Sequence, residues 1–413
     1  YFNVQFEVKF FNLLFYNMKI IDLNFKEIFL AILILLSFFT NFRFSYLPIG
    51  LSELLFFPLM IYAIYIFLFK QGSKINFYDD GFLVFLTLLL ISFFTLISMN
   101  LNLLNSEFKH INMLHNSFAF IYLTMLVFIF IILQPNYEKL FNILIVLFFF
   151  ISLFFYCYTF FNEEFLGRSL FYANTKLKSL FAKNHHQLAF FSTLVFFLTL
   201  NNLKQTRNLI LIFPLFFYLY FLYLLKSDGN NFGFLLSLFF SLIIFTLIKS
   251  KIYRINKIII LIFILILFLL PYILSLNINF NKSFYEIINN KNILFRIKFI
   301  QNFIEKTTFI DYLIGHGPGG FVTSNLQSNH LREVHNTFFD LLLYSGIFSF
   351  ILLIYIYYKT ISKLIYNNMF ILMILVLYIF FYSLTHNIIR YPIFWIIILY
   401  ILSTKIHKNE NEI

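Results

Sequence analysis

Residues 315–358 read GHGPGGFVTSNLQSNHLREVHNTFFDLLLYSGIFSFILLIYIYY. The first half is a polar, glycine-rich loop. The second, from Thr337, is a long apolar run carrying a single carboxylate, Asp340. About 20 apolar residues in helical form match a hydrocarbon core of roughly 30 Å, so this run predicts a membrane span entered from a polar mouth. The rest of the chain repeats the character of the second half. Of its 413 residues 61% are hydrophobic and 12% charged, against about 25% charge in an ordinary soluble domain. Sixty-six Phe and twenty-seven Tyr are more aromatic bulk than one aqueous core can hide. The composition predicts an all-α, polytopic integral membrane protein surrounded by bilayer lipids.

Marking apolar runs of sufficient length predicts about twelve transmembrane helices. They lie near 27–42, 50–69, 81–98, 114–134, 140–160, 186–200, 208–225, 232–248, 256–275, 337–358, 367–385 and 391–404. The organisation that follows is an N-terminal membrane region over 1–275, with about nine helices and a first external loop at 161–185. A large external loop spans 276–336, and three C-terminal helices with an internal tail span 337–413. The net charge of +12 fits this topology without invoking nucleic acid. Lys70, Lys74, Lys139, Lys204, Arg207 and the 249–257 cluster fall on one side. Only Arg43, Lys109, Lys226 and Arg390 fall in short connections on the other, the bias of a positive-inside membrane protein. The single cysteine, Cys157, excludes a disulfide framework or a thiolate metal cluster.

Chemistry is expected in the external loops. Gly315, Gly317, Gly319 and Gly320 satisfy the spacing of a dinucleotide fingerprint. The flanking strand–turn–helix context is missing and no phosphate-loop lysine follows, so a nucleotide site is not expected. Two readings of the glycines remain: a tight turn, or a turn whose backbone N–H groups face a ligand. Residues 289–314 place Phe295, Phe299 and Phe303 at helical spacing, an amphipathic helix for the membrane interface. Arg168, with Lys176, Lys178 and Lys183, and Arg296, with Lys298 and Lys306, put basic groups in both loops. Guanidinium groups hold phosphate bidentately, while the lysines could equally meet anionic lipid headgroups. His185 and His186 are adjacent and point apart, and no metal-binding set or cofactor site stands out. His335-Asn336 follows Arg332-Glu333 at the mouth of the 337–358 run. It is placed either to exchange protons with a polar substrate or to anchor the helix at the interface.

These features together resemble the O-antigen ligase and O-antigen polymerase superfamily of bacterial membrane glycosyltransferases. The family signature is His followed by Asn, Ser or Gln, nine variable residues, a glycine, three residues, then Gly, Thr or Tyr. Here His335-Asn336 is followed by TFFDLLLYS, nine residues, and Gly346, with Phe350 departing at the last position. The pairs His115-Asn116 and His386-Asn387 place Leu126 and Ile397 where the glycine belongs, and fail. The upstream GHGPGGF, Arg296 before the histidine, and Arg168 ahead of KNHHQLAFF extend the likeness. The SDGNNFGF stretch lacks an arginine that relatives more often carry.

The resemblance implies an enzyme of the inner membrane whose site faces the periplasm. Its donor is a glycan on undecaprenyl diphosphate and its acceptor the lipid A–core oligosaccharide. His335 would act as base, with Asn336 orienting it or a sugar hydroxyl. Arg168 and Arg296 would hold the diphosphate. Arg332, the four glycines, His185 and His186 would line the substrate. The transfer would invert the anomeric carbon without metal or cofactor. A polymerase joining lipid-linked repeat units stays open as the alternative. A protein O-oligosaccharyltransferase and a glycan flippase or other transporter follow it, although a transporter would show internal repeats and midplane polar groups.

Overall fold

The computed structural model describes residues 25–39, 50–69, 80–105, 111–159, 164–165, 168–169, 185–225, 227–249, 307–317 and 336–403. The fold is all-α. Among the described residues there are α1 (Phe25–Ser37), α2 (Leu51–Phe69), α3 (Asp80–Asn105), α4 (Ile111–Leu133) and α5 (Tyr137–Thr159). A two-residue hairpin follows, β1 (Glu164–Phe165) and β2 (Arg168–Ser169), pairing Phe165 with Arg168. Then come α6 (His185–Thr206), α7 (Ile212–Leu225), α8 (Asp228–Lys249) and α9 (Phe309–Ile314). The chain closes with α10 (Thr337–Tyr366), α11 (Phe370–Ser383) and α12 (Pro392–Ser403).

The span count is corrected. Among the described residues five helices, not about twelve, are long and apolar enough to cross a membrane. They lie at Leu51–Phe69, Asp80–Leu101, Tyr137–Phe154, Gly229–Thr246 and Thr337–Tyr366. Helices stand where the apolar runs are, but many are short. α1, α7, α11 and α12 have 13, 14, 14 and 12 residues, about 18–21 Å at 1.5 Å per residue, well under the hydrocarbon thickness. α6 is 22 residues long but carries Gln187, Thr193, Thr199, Asn201, Asn202 and Lys204. The run at 256–275 lies outside the described residues. Several long apolar helices remain, consistent with a multi-pass membrane protein. The inside–outside alternation that rested on twelve spans no longer decides which loops face out.

The chain forms two compact units. The first comprises Tyr1–Ile75, Phe128–Ser237 and Met369–Tyr378. In it α1 packs on α2 and α5, and α6 on α5 and α7. Phe38, just past α1, stacks on Phe191 with ring centres 4.1 Å apart and meets Phe148 edge-on at 5.7 Å. Some hydroxyls within the helices are satisfied locally: Thr199 and Thr206 donate to Val195 O and Asn202 O one turn back. Lys26 and Glu27 clasp the turn between α4 and α5. Lys26 Nζ donates to Leu133 O at 3.0 Å and Gln134 O at 3.3 Å, and Glu27 Oε1 accepts from Asn136 N–H at 3.0 Å. A cation thus meets one helix's last carbonyls and an anion the next helix's first amides, each opposing the local dipole.

The second unit comprises Asn76–Val127, Leu238–Asn368 and Ile379–Ile413. Its axis is α10, packed against α3, α9 and α12. α10 breaks at Gly346, whose φ of 76° and ψ of −174° are not helical. Only glycine holds such dihedrals cheaply. At the break, donors from elsewhere in the unit reach the helix's carbonyls: His316 N–H binds Leu343 O at 2.6 Å and Ser98 Oγ binds Tyr344 O at 2.9 Å. Irregular backbone at membrane depth persists only when protein satisfies it this way. α12 is apolar on every side and buried from Pro392 to Leu402, a core helix of this unit.

Candidate functional site

The site is built on the first turns of α10. Asn336 is the N-cap, with extended backbone at φ −137° and ψ 116°. Its Oδ1 accepts from Phe338 N–H at 3.0 Å and Phe339 N–H at 3.2 Å, so the helix's first amides are closed by its own cap. Its Nδ2 reaches the other way and donates to Leu384 O at 3.0 Å. The asparagine of the sequence signature therefore ties two segments together, and it does so while 6% exposed.

The segment it ties is the 384–391 loop between α11 and α12. Thr337 Oγ1 donates to His386 O at 2.7 Å and accepts from Ile388 N–H at 3.0 Å. Asn387 Nδ2 donates to the Tyr344 hydroxyl at 3.1 Å. Trp395 Nε1 donates to Ile389 O at 2.7 Å, holding the loop from α12. The His386 imidazole lies flat on Tyr382, ring centres 4.4 Å apart and planes 3° from parallel, with Nδ1 2.9 Å from Thr385 Oγ1. The His386-Asn387 pair, which fails the signature's spacing, thus lies in a loop bonded to Asn336, Thr337 and Tyr344 of the α10 segment. Its trace in the sequence is THN with Arg390, a polar patch between two apolar runs. Asp340, 1% exposed, lies one turn before Tyr344 and adds a buried carboxylate to this part of the helix.

At the far end of the same half-helix sits the glycine-rich turn. α9 starts with a reciprocal cap: Asp311 Oδ2 accepts from Thr308 N–H at 2.9 Å and Thr308 Oγ1 accepts from Asp311 N–H at 3.4 Å. Gly315 ends it and presses on backbone at Tyr344 and Ser345, where a Cβ would stand 2.6–2.8 Å away. Gly317 rests on Met99. His316 is buried, with Nε2 3.5 Å from Asp311 Oδ2. Burial holds its imidazole below the ordinary histidine value, against the opposing pull of Asp311. Both described glycines meet the protein's own backbone.

His335, Arg296, Arg332, Gly319 and Gly320 lie outside the described residues, as does the greater part of the expected amphipathic helix. Arg168 is described in its backbone alone, as the β2 residue opposite Phe165, and His185 likewise as the first residue of α6. His186 Nδ1 lies 2.8 Å from Ser227 Oγ. The SDGNN stretch continues into a buried node within the first unit, where Asn230 Oδ1 accepts from Thr193 and Tyr378 hydroxyls. Among the described residues no group of three or more His, Cys, Asp or Glu gathers at metal-binding spacing. Compared with protein-family models, curated proteins and solved structures, the chain matches none.

Proposed function

We propose that this chain is a membrane glycosyltransferase of the O-antigen ligase type. It transfers a glycan from undecaprenyl diphosphate to the lipid A–core oligosaccharide at the periplasmic face of the bacterial inner membrane. The observation that carries the reading is the spacing from His335-Asn336 to Gly346, whose ends are a helix cap and a glycine at positive φ. In this scheme His335 takes the proton of the acceptor hydroxyl as that oxygen bonds to the anomeric carbon. The bond from that carbon to the diphosphate oxygen breaks, its electron pair leaves with the diphosphate, and the configuration inverts. Arg168 and Arg296 neutralise the departing anion. The start of α10 is poorly suited to that task, because Asn336 already occupies the Phe338 and Phe339 amides. Guanidinium groups are the better donors. Arg332, the glycine turn and His185-His186 complete the substrate surface.

A polymerase that joins lipid-linked repeat units is the second reading. Phe350 favours it, since the ligase signature has Gly, Thr or Tyr there. In this chain Phe350 is buried and edge-on to Phe338 at 6.5 Å. Reconstitution with undecaprenyl diphosphate-linked glycan separates the two. Glycan appearing on lipid A–core alone supports the ligase, and a ladder of lengthening lipid-linked chains supports the polymerase. Absence of both products would overturn the transferase reading in favour of transport, and undiminished transfer by His335→Ala would remove His335 as the base.

A further inference from the structure

Thr337 directly follows the His335-Asn336 pair and has no exposed surface. Its hydroxyl bonds twice to one loop, donating to His386 O at 2.7 Å and accepting from Ile388 N–H at 3.0 Å. A buried hydroxyl that gives and receives one hydrogen bond with backbone groups two residues apart fixes both the height and the tilt of that loop. Asn336 and Asn387 add the ties to Leu384 O and Tyr344 on either side. What the clip holds in place is His386, partly exposed and lying on the Tyr382 ring.

We propose that Thr337 is a positioning residue, and that the loop it clips forms the acceptor side of the site through His386. This rests on the transferase reading above. The side follows from two observations. The loop is bonded to the two residues that follow His335, the group proposed to take the acceptor's proton. It also presents the partly exposed His386 imidazole, a ring that can bond sugar hydroxyls and lie against a sugar face.

The test is steady-state transfer by reconstituted full-length protein, varying lipid-linked glycan and lipid A–core separately. Thr337→Val keeps the shape and removes both bonds. Acceptor KM should rise about tenfold, the size expected of two modest hydrogen bonds, with donor KM and kcat little changed. Thr337→Ser should restore it. His386→Ala should raise acceptor KM similarly, and the double variant should do no worse than either single. Equal impairment by valine and serine, a loss in kcat alone, or a rise in donor KM would each overturn the proposal. Hydrogen exchange at the Ile388 amide reads the clip independently of activity. If wild-type protein transfers nothing, the transferase reading fails and the acceptor role with it. If transfer occurs but Thr337→Val leaves Ile388 exchange unchanged, the clip itself is refuted.

Discussion

Gly346→Ala decides whether the break in α10 is required by its surroundings. Helix propensity alone says alanine should help, by about 1 kcal/mol in a helix interior. The structure gives the opposite sign. At φ 76° and ψ −174° an alanine carries roughly 1–3 kcal/mol of backbone strain. Its Cβ would also stand 2.0 Å from Leu313 O, 2.4 Å from Leu313 C and 2.8 Å from Ile314 N. All three are backbone atoms, so no rotamer change relieves them. Reaching ordinary contact at 3.4 Å requires the 309–317 segment to retreat by about 1.4 Å. That withdraws His316 N–H from Leu343 O and leaves a buried carbonyl unsatisfied, about 1–3 kcal/mol more. The docking of α9 on α10 should therefore weaken by roughly 2–6 kcal/mol. The assay is hydrogen exchange on detergent-purified protein. Amides of 309–317 and 343–349 should exchange at least about thirtyfold faster in the variant, while Phe348→Ala, at a position 51% exposed, should change little. An alanine variant as protected as the parent, or more stable, refutes the reasoning.

Substitutions at three further positions test other contacts of the fold. Because burial lowers the His316 pKa, the folded protein binds fewer protons than the unfolded chain as pH falls through about 6.5. Stability should be full above that pH and decline as pH falls below it in thermal melts, and His316→Gln should remove that component. In the first unit, Glu27→Leu deprives Asn136 N–H of its acceptor and should lose about 1–3 kcal/mol. Glu27→Gln retains an acceptor oxygen and should lose clearly less; equal losses in chemical denaturation would mean the bond is unimportant. Asn336→Asp keeps the helix cap but cannot donate to Leu384 O, whereas Asn336→Ala loses both roles. Melting temperatures should rank Asn above Asp above Ala, and an aspartate as stable as the parent would remove the loop tie.

Composition located the helices because apolar runs and helices coincide, but it misjudged how many cross the bilayer. α2 and α12 show why. Both are apolar on every side, yet α2 exposes Leu54, Phe57, Ile61, Tyr65 and Leu68 while α12 is buried along nearly its whole length. A run that faces lipid and a run that faces protein have the same composition, so length and surroundings must come from the fold. At the site, the spacing from Asn336 to Gly346 is legible as a pattern. What each end touches is not. The loop at 384–391 joins Asn336 from 48 residues away, and α9 reaches Gly346 from upstream across a polar stretch of sequence. Neither contact has a local signal beyond a few polar letters among apolar ones.

The fixed spacing now has a physical account. Asn336 and Gly346 bound a half-helix of roughly 15 Å, a little under three turns. Its start is tied by Asn336, Thr337 and the 384–391 loop. Its end is tied by His316, Ser98 and the backbone contact at Leu313. Adding or removing one residue would turn one end against the other by about 100° and shift it by about 1.5 Å. Hydrogen bonds of 2.6–3.0 Å at both ends tolerate no such rotation, so a one-residue change must release either the cap or the break. The count of nine between asparagine and glycine is thus the length at which both ends can be held at once. The distance and bearing of Asn336 from Gly315 are set by that half-helix and by the two segments that grip it.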